Sequence, residues 1–207
     1  MCSFQSVLLF GAPGAGKGTQ GKILGQTPGF FHCASGDVLR SIERDSKDGG
    51  LVETYSSRGE LVPDEVTVRL WAKAMKAWVR EDHYRPTRDL LLLDGIPRTV
   101  QQAHILEQHI QVQRIIYLTC KNPQEIIERL RRRAAKENRS DDATETIIRH
   151  RWDVYENQTA PVLKYYPKNL IIEIDAARSP GQVLRDILEA LVPLQESLRQ
   201  PSSHTTT

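Results

Sequence analysis

A short apolar run, Ser6–Phe10, passes without a break into Gly11-Ala12-Pro13-Gly14-Ala15-Gly16-Lys17-Gly18-Thr19-Gln20, and this junction limits the fold more than any other feature of the chain. Glycines 11, 14, 16 and 18 carry no β-carbon, so successive backbone N–H groups can turn inward around phosphate oxygens. The helix that follows adds its positive end, and Lys17 brings a mobile ammonium to the β- and γ-phosphates. The spacing is that of the P-loop with one departure: Gly18 follows the lysine, and the hydroxyl comes one residue later, at Thr19. The bland alternative is a tight turn that holds no ligand; four glycines and a lysine between a strand and a helix weigh against it. Such a loop implies a nucleotide but no particular reaction, since switches, motor ATPases and kinases of small molecules all use one.

The rest of the chain repeats the strand-then-helix order. Leu90–Leu93, Arg114–Cys120 and Leu170–Ile174, with the shorter Phe30–Ala34, are apolar runs without clean alternation, the pattern of strands buried on both faces. Helical spacing fills the gaps. Trp71, Met75 and Trp78 recur at i, i+4 and i+7 within Asp64–Val79, and Ile148, Trp152 and Tyr155 do so within Asp142–Tyr155; both stripes read as core-facing packing. Pro123 and Pro180 mark helix starts, the last helix lying near Gln182–Leu191. Repeated β-α units specify an open α/β sheet with right-handed crossovers, whose ligands bind beyond the carboxyl ends of the strands. The polar segment 195–207, with Pro201, is expected to be a flexible tail.

Composition narrows the class. Among 207 residues, 28 Lys and Arg against 26 Asp and Glu leave a formal charge of +2, too small to argue for nucleic acid. No apolar run approaches the ~20 residues that a bilayer span needs, and Met1–Ser6 lacks the basic start of a signal peptide. The three cysteines, Cys2, Cys33 and Cys120, form no C-x-x-C, so neither a zinc ribbon nor a redox pair is indicated. Cys33 and Cys120 sit in apolar contexts and read as buried, reduced thiols of a cytoplasmic protein. The histidines, His32 among them, show no ligand spacing and are assigned to surface or packing.

Four more blocks follow the loop in order: Ala34-Ser35-Gly36-Asp37-Val38-Leu39-Arg40; Gly59-Glu60-Leu61-Val62-Pro63-Asp64-Glu65; Asp94-Gly95-Ile96-Pro97-Arg98-Thr99 through Gln102; and Arg139-Ser140-Asp141-Asp142 with Arg149, Arg151 and Thr159-Ala160-Pro161. Together with Gly-x-Pro-Gly-x-Gly-Lys-Gly-Thr they resemble the nucleoside monophosphate kinases, and the chain to about Val192 resembles an adenylate kinase of the short-lid type. The resemblance implies a three-layer P-loop NTPase-type fold, with a five-stranded parallel sheet flanked by helices, a helical monophosphate-binding arm and a short lid. It divides the chain into one kinase domain, 1–194, and the tail 195–207. Within the domain the core is 1–33, 64–133 and 141–194, the arm 34–63 and the lid 134–140.

The resemblance also implies a chemistry, reversible transfer of the γ-phosphoryl group of MgATP to AMP to give two ADP. ATP would be held by Gly14, Ala15, Gly16, Lys17, Gly18 and Thr19, with Arg129, Arg133 and, along the donor adenine, Arg178. AMP would meet Ser35, Arg40, Glu60, Leu61, Val62, Gly95, Ile96, Pro97, Arg98 and Gln102, the last an amide suited to adenine's N6 and N1. Arg139 and Arg151 would close on the phosphates, making Lys17, Arg98, Arg129, Arg133, Arg139 and Arg151 the catalytic cations. Asp94 stands where a strand-end carboxylate holds Mg²⁺ or its waters, with Asp37 a second candidate or a helix N-cap, and Asp142 a cap for the helix that follows it. Taken alone, Arg129 and Arg133 would pass for a solvated helix face, and Arg149, four after Glu145, for an ordinary ion pair. Five residues between Arg133 and Arg139 are too few for a four-cysteine zinc lid, so no structural zinc is expected. Ser35 departs from the family's usual Thr, and Glu137-Asn138 from its Ser-Gly. The expected partners are ATP and AMP or ADP, without nucleic acid or membrane, and the expected state is a monomer. The alternatives are a uridylate/cytidylate kinase, a P-loop switch or adaptor, and an inactive relative serving as scaffold.

Overall fold

Parity along the strands decides the architecture. In β1 (Phe4–Phe10), Leu8 and Phe10 face one core while Val7 and Leu9 face another. β3 (Leu90–Asp94) divides the same way, Leu91 and Leu93 against Leu90 and Leu92, and all four leucines are buried. A strand with an apolar neighbour on each side has no polar face to show, which is why these runs do not alternate. The computed structural model describes residues 3–120, 128–130 and 144–199. With β2 (Phe30–Ala34), β4 (Ile110–Thr119) and β5 (Ile171–Asp175) the strands form a five-stranded, all-parallel sheet in the order β2-β3-β1-β4-β5.

Helices cover both faces, giving the three layers. On one side Trp71 and Met75 of α4 (Asp64–Arg80) join Ala103 and Leu106 of α5 (Val100–Leu106) over Leu8, Leu91 and Ile115. On the other, Leu24 of α1 (Lys17–Gly25) packs over Val7, Leu9 and Leu92 with Val183, Ile187 and Leu191 of the C-terminal helix. Each fully buried Leu or Ile contributes about 1.5–3 kcal/mol. The arm segment holds α2 (Ser35–Arg40) and α3 (Lys47–Ser56), and a small separate cluster of Val52, Val62 and Leu70 fastens it to α4.

The structure departs from expectation in several places. The last helix, α7 (Pro180–Arg199, numbered after α6, Glu145–Val154), runs past Leu191 and takes up the first residues assigned to the tail. Leu194 and Leu198 extend its apolar stripe, and the buried Gln195 donates from Nε2 to Pro28 O at 2.6 Å. Thr144, not Asp142, caps α6: its side chain accepts from Ile147 N. Asp37 lies in the first turn of α2, whose N-cap is Ala34. Cys33 is buried as expected, whereas Cys120 is half-buried. Pro123, Arg133, Arg139, Asp142, the lid 134–140 and the segment from 200 onward lie outside the described residues. Among the described residues no helix is long and apolar enough to cross a membrane.

Candidate active site

The glycine loop leaves the carboxyl end of β1 at the centre of the sheet. Gly16 is the N-cap of α1 with φ +95°, a left-handed conformation that costs glycine nothing, and no side chain caps the helix. The first-turn N–H groups of α1 thus meet no capping side chain from Gly16, the arrangement that receives an anion. Lys17 arches back over the loop, its Nζ donating to Gly11 O at 2.6 Å and Ala12 O at 3.0 Å. At Gly11 a β-carbon would lie 2.6 Å from Leu118 O of β4, so only glycine lets the loop start this close to the sheet. Ala15 is buried in the core under the sheet and Ala12 against Leu130, which anchors the loop from below. Gln20 Nε2 donates to Pro180 O at 3.0 Å and ties α1 to the start of α7.

Asp94 ends the neighbouring strand, β3, and its carboxylate approaches the loop: a β-carbon on Gly18 would lie 3.6 Å from Oδ2. The side chain is 12% exposed and faces His32 Nε2 at 3.6 Å. Burial works to raise its pKa, but the adjacent His32 imidazole and the charges of Lys17 and Arg98 outweigh that, so the carboxyl is held below the usual range and stays ionised. A single, charged, buried carboxylate suits Mg²⁺, which keeps several waters and takes its other ligands from phosphates. Among the described residues no cluster of three or more His, Cys, Asp or Glu could form an all-protein metal cage.

Beyond Asp94 the chain turns through Gly95 at φ +76°, where a β-carbon would strike Ser35 Oγ at 2.8 Å and Arg98 Nη2 at 2.9 Å. Ser35 Oγ donates to Gly95 O at 2.6 Å, and Arg98 Nε donates to the same carbonyl at 2.8 Å. The start of α2 and the exit of β3 are thereby fixed on one oxygen. Ile96 is a core residue, so its part in any site is through its backbone. Thr99 caps α5, accepting from Gln102 N at 3.0 Å. Gln102 is buried, its Oε1 accepting from Arg98 N at 2.7 Å and its Nε2 donating to Asp64 Oδ1 at 2.9 Å. Thr99 Oγ1 donates to Asp64 Oδ2 at 2.9 Å.

The other expected residues are placed by local contacts of their own. Arg40 pairs with Asp37 at 2.5 Å on the exposed side of α2. Val62 is buried in the arm cluster, its carbonyl accepting from Thr67 Oγ1 at 3.1 Å, while Leu61 is half-buried and Glu60 exposed. Arg129 reaches from residues 128–130 to the loop after β5, donating to Ala176 O at 3.0 Å. Arg151 lies on α6 against the arm's return: a β-carbon on Gly59 would be 2.9 Å from Arg151 Cγ and 3.3 Å from Ile147 Cγ2. Arg178 pairs with Asp186 on α7. Arg149 and Glu145 form the surface pair expected of them, at 2.8 Å.

Three residues beyond the expected site touch it: His32, Asp64 and Thr99. His32, expected at the surface or in packing, faces Asp94; strand parity points to it, because His32 pairs with Leu92 and Ala34 with Asp94, placing 32 and 94 on one face. Gly21 and Gly25, one turn apart in α1, leave the space its ring fills, since β-carbons there would lie 2.2 Å from His32 Nε2 and 2.7 Å from His32 Cβ. Asp64 and Thr99 carried no signal of their pairing with Gln102, which depends on α4 crossing α5.

The chain is also similar to known proteins over most of its length. The family described as Adenylate kinase matches residues 9–171. An adenylate kinase of Thermobifida fusca is 37% identical over 192 residues, covering 89% of this chain and 97% of its own length. One from Parabacteroides distasonis is 37% identical over 166 residues, covering 78% and 83% respectively. One from Thermus thermophilus is 34% identical over 193 residues, covering 90% and 97%.

Proposed function

The chain belongs to the adenylate kinase family and is a nucleoside monophosphate phosphotransferase, and on that premise we propose that ATP occupies the loop after β1 while AMP occupies the exit of β3. Adjacency supports this assignment. β1 and β3 are hydrogen-bonded neighbours, about 4.8 Å apart, so the two phosphate-handling segments leave the sheet side by side with Asp94 between them. A switch protein needs the first segment alone; a second one, built on Arg98 and Gln102, gives the phosphoryl group a destination.

In the proposed reaction the bond from the γ-phosphorus to its bridging oxygen breaks, and a new one forms to an oxygen of the AMP phosphate. The acceptor oxygen is already ionised near neutral pH, since the second pKa of a phosphate monoester is about 6. No general base is therefore assigned. Catalysis is positioning and charge. The loop N–H groups and Lys17 hold the donor phosphates, Arg98 and Arg40 the acceptor phosphate, and Arg129 and Arg151 the charge that spreads over the moving group. Arg133 and Arg139 belong to the same set by resemblance. Glu60, Leu61 and Val62 would line the base pocket, Gln102 would read the adenine, and Arg178 would lie along the donor base. Mg²⁺, held directly or through water by Asp94, would supply charge neutralisation at the ATP phosphates. We further propose a monomeric, cytoplasmic enzyme: one chain carries both segments, and the buried Cys33 is a free thiol.

A coupled assay across AMP, UMP, CMP and GMP at millimolar concentration tests the reading. AMP is expected to be the best acceptor, and no turnover with it would refute the proposal. A bivalent analogue joining two adenosines through five phosphates should bind far more tightly than ATP; equal affinity would point to a single nucleotide site.

A further inference from the structure

A glutamine side chain cannot by itself tell adenine from hypoxanthine or guanine. Adenine offers a donor at N6 and an acceptor at N1, whereas the other two offer an acceptor at position 6 and a donor at N1. An amide that rotates by half a turn serves either edge, because it carries two donor hydrogens at one end and two lone pairs at the other. Gln102 is not free to rotate. Its Oε1 faces the main-chain N–H of Arg98 at 2.7 Å, a group that only donates. Its Nε2 faces Asp64 Oδ1 at 2.9 Å, and a carboxylate only accepts. Turning the amide would set N–H against N–H at one end and oxygen against oxygen at the other, in a residue only 1% exposed.

Asp64 is itself pinned. Its Oδ2 accepts from Thr99 Oγ1 at 2.9 Å, and Thr99 Oγ1 accepts from Gln102 N at 3.0 Å, so backbone, hydroxyl, carboxylate and amide form a closed ring. One hydrogen on Nε2 and one lone pair on Oε1 remain, in the order that adenine requires. We infer that Asp64 is a specificity-determining positioning residue: it fixes the Gln102 amide, with the Arg98 N–H, in the orientation that accepts adenine and rejects hypoxanthine and guanine. This rests on the reading above that Gln102 meets the acceptor base. Asp64 acts through Gln102 and needs no contact of its own with the nucleotide.

The test measures kcat/KM for AMP and for IMP, with ATP as donor, in the wild type and in Asp64→Asn, Thr99→Val, Thr99→Ser and Gln102→Leu. Asp64→Asn keeps the shape but replaces the acceptor-only carboxylate with an amide that can turn, leaving the Arg98 N–H to hold the Gln102 amide alone. It is expected to lower the AMP-to-IMP ratio about tenfold, the value of one charge-assisted hydrogen bond, with KM for ATP unchanged. Thr99→Val should shift the ratio the same way by less, and Thr99→Ser should restore it. A thermal melt identifies a variant that fails to fold; if Asp64→Asn does, the Thr99 pair decides. Wild-type ratios in the folded Asp64 and Thr99 variants, beside a loss of AMP selectivity in Gln102→Leu, would overturn the pin while leaving the adenine reading intact. Unchanged AMP kinetics in Gln102→Leu would remove the adenine reading and the pin with it.

Discussion

At the scale of single residues, the proposed function rests on two cations, Lys17 and Arg98. Lys17→Ala is expected to lower turnover by at least ~10²-fold, the cost of removing one preorganised charge donor, with the fold intact, since Nζ donates to the local loop carbonyls Gly11 O and Ala12 O. Arg98→Ala should lose a comparable factor, with its KM effect on AMP and not on ATP; steady-state kinetics with each substrate varied separates the two. Asp94 gives a pH signature. Its folded pKa is lowered, so its stabilisation is present above the unfolded value of about 3.9 and is lost as pH falls through the folded one. The difference in melting temperature between wild type and Asp94→Asn should hold steady from pH 7 to about pH 4.5 and shrink below pH 4, with thermal melts as the measure. These residues could be found from the sequence because each is part of a local pattern. Asp64 could not, because it acquires its meaning from a partner that is distant along the chain and close only after helices cross, and His32 yields only to strand parity once β2 is paired with β3.

Among elements, the joint between α1 and β2 is the most exacting. Gly25→Ala would place a β-carbon 2.7 Å from His32 Cβ, an atom that no rotamer change removes, and should cost about 1–3 kcal/mol in denaturant unfolding. Gly21→Ala meets the end of the ring instead, at 2.2 Å from Nε2, so the ring must turn away from Asp94. The double variant Gly21→Ala with His32→Ala should recover most of the stability, and a loss no smaller than that of the single variant would show that the ring is not the obstacle. The strands were readable from sequence because runs such as Leu90–Leu93 have one physical explanation, burial on both faces. The end of α7 was not. Its last turns are polar in composition, and the two leucines that continue the stripe, Leu194 and Leu198, signify only once the groove they fill is known. Ending the chain at Pro193 should therefore lower the melting temperature, through loss of those contacts and of the Gln195 to Pro28 bond.

For the whole molecule, the limit is alkaline. Burial pushes the Cys33 thiol up to about 12, against a smaller opposing effect of Trp71, and burial also raises the phenols of Tyr84 and Tyr166. A raised folded pKa gives stability that is complete below the unfolded value, near 9 for the thiol, and is lost as pH climbs toward the folded one. Melting temperature should fall steadily above about pH 9. Cys33 should stay unalkylated by iodoacetamide at pH 8 in the native protein and react fully in denaturant, as peptide mass spectrometry would show. The His32 joint has one more implication at this scale. α1 carries the nucleotide loop at its front end and spans nine residues, about 13.5 Å; its rear rests on an imidazole let into two missing side chains. A stiff rod seated on a shim is a lever. The thickness of one aromatic ring therefore gauges how far α1 stands off β2, and a methyl group added at Gly25 would press the two apart.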